Sequence, residues 1–115
     1  MQNADFSFAV LDDAVFKHAL LQGAKFTQTF LVRADFTDGT LDKATFSQAI
    51  ARHAIFRNAS LRGAVFEQAD VSSASFEGAD VEGADFTTSI GFTNTTLSGA
   101  RNVQKARLPK ANATR

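Results

Sequence analysis

Few side chains in this 115-residue sequence have the type and spacing for chemistry. The two histidines, His18 and His53, have no carboxylate at ligand spacing beside them, so an outward polar role accounts for them better than a metal site or a general base. The absence of cysteine excludes disulfides, zinc–thiolate sites and thiol nucleophiles together. Ser and Thr are numerous but fall at turn-like positions, where hydroxyls serve backbone groups. The seven glycines are spread along the chain, three of them (Gly23, Gly63 and Gly83) at equivalent places, so no phosphate-cradling loop is assembled. A regular Thr-x-Thr ice-binding face is missing as well. No catalytic, cofactor-binding or metal-ligating residue is expected, and the chain is expected not to be an enzyme.

What positions every one of these residues is a repeat. Phe6, Leu11, Phe16, Leu21, Phe26, Leu31, Phe36, Leu41 and Phe46 stand five residues apart, and Ala51, Phe56, Leu61, Phe66, Val71, Phe76, Val81 and Phe86 continue the series. Two residues before each centre stands a small residue, Ala in all units except those with Thr29 and Gly39. Five helical residues advance 500°, about 140° off any fixed face, and five strand residues invert the face. The chain must therefore turn a corner in every unit, and the expected class is an all-β solenoid of very short strands stacked coil on coil.

The number of sides follows from what would stack on what. Phe alternates with smaller centres at a period of ten, so a repeat of fifteen would place Phe on Leu, whereas a repeat of twenty places Phe on Phe in two opposite columns. Charges agree: spacing twenty sets Asp5 under Lys25, Asp13 under Arg33, Asp42 under Arg62, Arg57 under Glu77 and Arg62 under Glu82, while spacing fifteen stacks Glu67 with Glu82 and Asp70 with Asp85. Gln28, Gln48 and Gln68 form a polar ladder at the same spacing, and His18 falls under Asp38. Four sides per coil is the expectation.

Units such as Ala4-Asp5-Phe6-Ser7-Phe8, Ala34-Asp35-Phe36-Thr37-Asp38 and Ala84-Asp85-Phe86-Thr87-Thr88 resemble those of the pentapeptide-repeat proteins, with their tandem Ala-(Asp/Asn)-(Leu/Phe)-x-x motif. The resemblance covers about four fifths of the chain and implies a right-handed quadrilateral β-helix of about five coils. After Phe86 the phase slips: Phe92 and Leu97 come one residue late, and Ala106-Arg107-Leu108 slips by one more. Residues 1–103 are expected to form the repeat domain, with 89–103 a distorted last coil and 104–115 a cap or basic tail around Pro109.

Two departures from the motif nominate surfaces. At the residue before the centre, where the family places Asp or Asn, this chain often has an apolar residue, and Val10, Phe30 and Ile50 fall on one side in successive coils with Val32 adjacent. Such a strip suits a protein partner. Self-association is also expected as an option, end to end, because the repeats start almost at Met1 and leave the first coil nearly uncapped near Phe8. The second departure is charge segregation inside a net charge of zero: residues 67–86 hold Glu67, Asp70, Glu77, Asp80, Glu82 and Asp85 and no base. Some family members that protect DNA gyrase are thought to imitate duplex DNA as acidic rods, so the resemblance makes gyrase an alternative partner. A neutral, short chain without a long acidic face fits a solvated surface with local ion pairs better.

Twelve basic residues against twelve acidic ones also argue against direct nucleic-acid binding. No apolar run is long enough to span a membrane. The N-terminal Met1-Gln2-Asn3-Ala4-Asp5 lacks the basic flank and apolar stretch of a secretory signal, which makes the cytoplasm the expected location. The expected function is a non-enzymatic scaffold or interaction module.

Overall fold

Each five-residue unit closes a tight turn on its own centre. The centre's carbonyl accepts the amide three residues on, as in Ala9 N to Phe6 O at 3.1 Å and Ala34 N to Leu31 O at 3.0 Å. The third residue of each turn, from Asn3 to Gly83, is left-handed with φ between 54 and 74°. A positive φ at that place is the mark of a type II turn. Most of these residues are not glycine, so each costs roughly 1–2 kcal/mol that the surrounding stack must offset. The computed structural model describes residues 2–110.

Between turns, the residue before each centre forms a single parallel bridge to its equivalent twenty positions on. Asp5, Lys25, Thr45, Val65 and Asp85 make one column; Val10, Phe30, Ile50, Asp70 and Ile90 the next; Val15, Asp35, Ile55 and Ser75 the third; Leu20, Thr40, Ser60 and Asp80 the fourth. Each bridge carries two hydrogen bonds, for example Phe6 N to Lys25 O at 2.7 Å and Lys25 N to Ala4 O at 2.8 Å. Among the described residues no side holds a longer strand, because the turn begins at once. Spacing twenty, made of four five-residue sides, is thus the register of the wall, and spacing fifteen is not used.

Inside, like packs on like. Within each Phe column the ring centroids lie 4.7–5.1 Å apart and within 11° of parallel. Between the two columns the rings meet edge to face at 5.4–6.0 Å. Both geometries suit the aromatic quadrupole and are worth about 0.5–1.5 kcal/mol per pair beyond area burial. The rise of one coil, roughly 4.8 Å, is also the stacking distance of a phenyl ring, so a single repeat length satisfies the backbone ladder and the core at once. Thr29, one of the two non-Ala small positions, is fully buried and donates its hydroxyl to Phe6 O at 2.8 Å.

The two ends differ. Toward the C-terminus the bridge spacing grows from twenty to twenty-one residues (Asp80 with Arg101) and then to twenty-two (Asp85 with Arg107), which matches the two phase slips in the sequence. The extra residues form a looped segment and a 3₁₀ turn, Val103–Lys105. Leu97 is buried, and Phe92, Ala100, Val103 and Ala106 pack over the core. Parallel pairing reaches Arg107 opposite Asp85, inside the stretch expected to cap the coils. Arg115, counted in the basic tail, lies outside the described residues. At the N-terminal end Phe6, Leu11 and Phe16 are only partly covered, whereas Phe26, Leu31 and Phe36 are fully buried.

Candidate protein interface

The residue before each centre decides how the wall looks from outside. Where it is Asp, its Oδ1 folds back to accept the amide two residues on: Ser7 for Asp5, Thr37 for Asp35, Ser72 for Asp70, Glu82 for Asp80 and Thr87 for Asp85, at 2.9–3.2 Å. The hydroxyls of Thr37, Ser72 and Thr87 donate to the same oxygens. The hydrogen bonds from Ser7 and Thr87 hold the Asp5 and Asp85 carboxyls below the usual carboxylate range. For Asp35 and Asp80 burial pushes upward, but hydrogen bonds and the neighbouring Lys17 or Arg62 outweigh it, and both end below that range.

Where the residue is apolar, that fold-back is missing and the side chain stands out from the wall. Val10 is 71% exposed and Phe30 46%. The structure sets Val10, Phe30 and Ile50 on consecutive rungs of one side, with Ile50 half-buried. Val32 lies at the next corner, half-buried, its amide held by Asp12 Oδ1 at 2.8 Å. Asp70 interrupts the column and Ile90, 54% exposed, resumes it. Ile90 is obscured in the sequence because Gly91 stands where the next large centre would be, although its place twenty residues after Asp70 marks it.

The six acids of residues 67–86 are placed between two basic rungs. Arg62 reaches Asp80 at 3.9 Å and Glu82 at 3.2 Å, Arg52 reaches Asp70 at 3.9 Å, Arg57 reaches Glu77 at 4.0 Å, and Arg107 reaches Asp85 at 3.7 Å. Among the described residues only Glu67 of the six stands without an ion pair. The Arg52–Asp70 and Arg62–Asp80 contacts span eighteen residues, as does Lys17–Asp35 at 3.9 Å. These diagonals run from a corner of one coil to the wall of the next, and a search at spacing twenty does not find them.

Asp13 and Arg33 form a close pair at 2.7 Å, which lowers the Asp13 carboxyl, and Gln28–Gln48–Gln68 form a hydrogen-bonded ladder. Asp42 instead accepts the backbone amide of Arg62 at 3.2 Å, freeing that guanidinium for the acids above it. His18 lies 3.6 Å from Asp38, both on the surface. One open groove of about 420 Å³ lies where the looped segment leaves the wall, lined by Ser75, Glu77, Thr95, Thr96 and Ser98 among others. Its single titratable group, Glu77, is the partner of Arg57. Among the described residues no three His, Asp or Glu converge as a metal-ligand set, and no helix is long and apolar enough to cross a membrane.

Comparison with known families and structures places this geometry. The model of pentapeptide repeats matches in eight copies over residues 1–38, 31–68, 40–78 and 56–87. A search of curated protein sequences finds no match. Among solved structures, a pentapeptide repeat protein of the cyanobacterium Cyanothece 51142 superposes with a TM-score of 0.76 at 18% identity, covering 95% of this chain and 83% of that one. One from Nostoc PCC 7120 superposes at 0.74 with 26% identity, covering 92% and 85%. One from the thylakoid lumen of Arabidopsis thaliana superposes at 0.62 with 28% identity, covering 90% and 82%.

Proposed function

The chain belongs to the pentapeptide-repeat family, and from that premise we propose that it is a non-enzymatic interaction module, built as a right-handed quadrilateral β-helix of about five coils of four units. Its binding face is the side carrying Val10, Phe30 and Ile50. The observation that carries this reading is the exposure of large apolar side chains at the place where other units of the same wall put an Asp that folds back on its turn. An Asp there shields a backbone amide; a Phe there shields nothing and presents apolar area to a partner. Immobilised wild type and Phe30→Asp, both shown to melt alike, would be compared for the proteins they retain from the native host. Bands kept by the wild type and lost by the variant support the reading, and identical sets contradict it.

A gyrase-directed mimic of duplex DNA is the second reading, prompted by the coil of residues 67–86. Five of its six acids face an arginine within 4.0 Å, so little of the acidic surface is left for a basic groove to recognise. A supercoiling assay in which excess protein inhibits gyrase would restore it.

A further inference from the structure

The first coil is unlike every coil that follows. Phe8, Val10, Val15 and Leu20 are 70, 71, 70 and 57% exposed and ring the open end. One coil later the same places hold Gln28, Phe30, Asp35 and Thr40, so three of the four turn polar at once. The ends of the core columns, Phe6, Leu11 and Phe16, are only partly covered inside that ring. The backbone is open too. Phe30 and Asp35 each donate an amide to the coil before them and accept one on their carbonyls. Their first-coil equivalents, Val10 and Val15, have neither bond among the described residues. At the corners, Asp12 and Asp13 are followed one side on by Lys17 and His18; Asp13 pairs with Arg33, Lys17 with Asp35 and His18 with Asp38 in the coil above, yet all three stay more than half exposed.

We propose that two copies of this chain dock head to head through their first coils, about a two-fold axis running through the Val15 side. A residue with its N–H and C=O both free on one edge forms a two-bond antiparallel pair with its own copy. That axis pairs Val15 with the partner's Val15 and brings Val10 opposite the partner's Leu20. It also brings the Asp12–Asp13 corner opposite the partner's Lys17 and the partner's His18, and the reverse on the other flank. An axis through the Val10 side would set Lys17 and His18 against the neutral Gln2–Asn3 corner, so charge complementarity selects the first arrangement. The one unfavourable meeting is Asp5 with the partner's Asp5. Among the described residues the C-terminal end is covered by Leu97, Val103 and Ala106 and the first coil is the open one, which closes the assembly at two. An end of 23 × 19 Å offers on the order of 400 Å² per copy, about half a standard partner footprint, so the dimer is reversible and concentration-dependent.

Sedimentation of the full chain across roughly 1 to 500 µM tests this, with circular dichroism melts confirming that each variant is folded. The wild type shifts from monomer to dimer and stops there. Val15→Lys and Lys17→Asp each weaken the dimer about tenfold or more, the double variant Asp12→Lys/Lys17→Asp recovers it, and Asp5→Asn tightens it. Phe30→Asp, on the second rung, leaves dimerisation unchanged, which keeps this test separate from that of the proposed binding face. A monomer throughout, a dimer indifferent to Val15→Lys, or a charge swap that fails to restore association would each overturn the proposal.

Discussion

At Phe46 the ring is stacked on Phe26 and Phe66 and met edge-on by Phe36 and Phe56, and it is fully buried among them. That environment explains why all nine rings of the two columns are Phe and none is Tyr or Trp. Phe46→Tyr is expected to cost about 1–3 kcal/mol because its hydroxyl would be buried unpaired, and Phe46→Ala about 3–5 kcal/mol through the cavity, both read from denaturant melts. Phe6→Ala, at the half-open end, should cost distinctly less. Phe8 illustrates the opposite balance. It holds a bulky side chain at φ 68°, so Phe8→Gly should raise stability by about 1 kcal/mol. The centres, the small residues before them and the column assignments were legible from types and spacing alone. The fold-back of Asp35 or Asp85 onto the turn was not, because it depends on a side-chain rotamer and not on period.

At the scale of the element, the unit is one turn and one bridge, and its regularity is what made the register readable. Two competing repeats could be separated by asking which residues they superpose, since a four-sided wall puts Gln on Gln and Asp on Arg. The diagonal ion pairs escaped that reasoning. A corner side chain such as Arg62 has the reach to choose between Asp80 on the wall and Glu82 at the corner above, and in the structure it touches both. Each such exposed pair is worth about 0.2–1 kcal/mol, so Arg62→Ala should lower stability by no more than about 1 kcal/mol in a thermal melt. The carboxylates respond together to acid. Asp5, Asp13, Asp35, Asp80 and Asp85 all have folded-state values below their ordinary one. Their unfolded forms therefore bind protons first, and the stability they contribute is present above about pH 4 and is lost as pH falls below it. Melting temperature followed from neutral pH into acid should be flat and then drop below about pH 4, and Asp13→Asn combined with Asp85→Asn should soften the drop.

For the molecule as a whole, stacking solves the core and the wall at once and leaves function to the faces and ends. The phase slips after Phe86 were visible in sequence, and the structure turns them into bridge spacings of twenty-one and twenty-two residues and a covered end. Truncation after Ser89 should expose Phe76 and Phe86 and give a protein that self-associates or binds a hydrophobic dye, while the full chain does not bind the dye at that end. The neutral net charge likewise resolves into ladders with an acidic coil held between arginines. The large apolar side chains left exposed gather on the Val10–Phe30–Ile50 side and around the first coil. The central claim is that this side meets a protein. Its most direct test is a photo-crosslinking phenylalanine analogue placed at position 30 and, as a control on the fourth side of the same coil, at position 40, followed by irradiation in the native host. A discrete heavier adduct from position 30 and none from position 40 is the predicted result. Adducts from position 40 alone, or the same adducts from both, would contradict it.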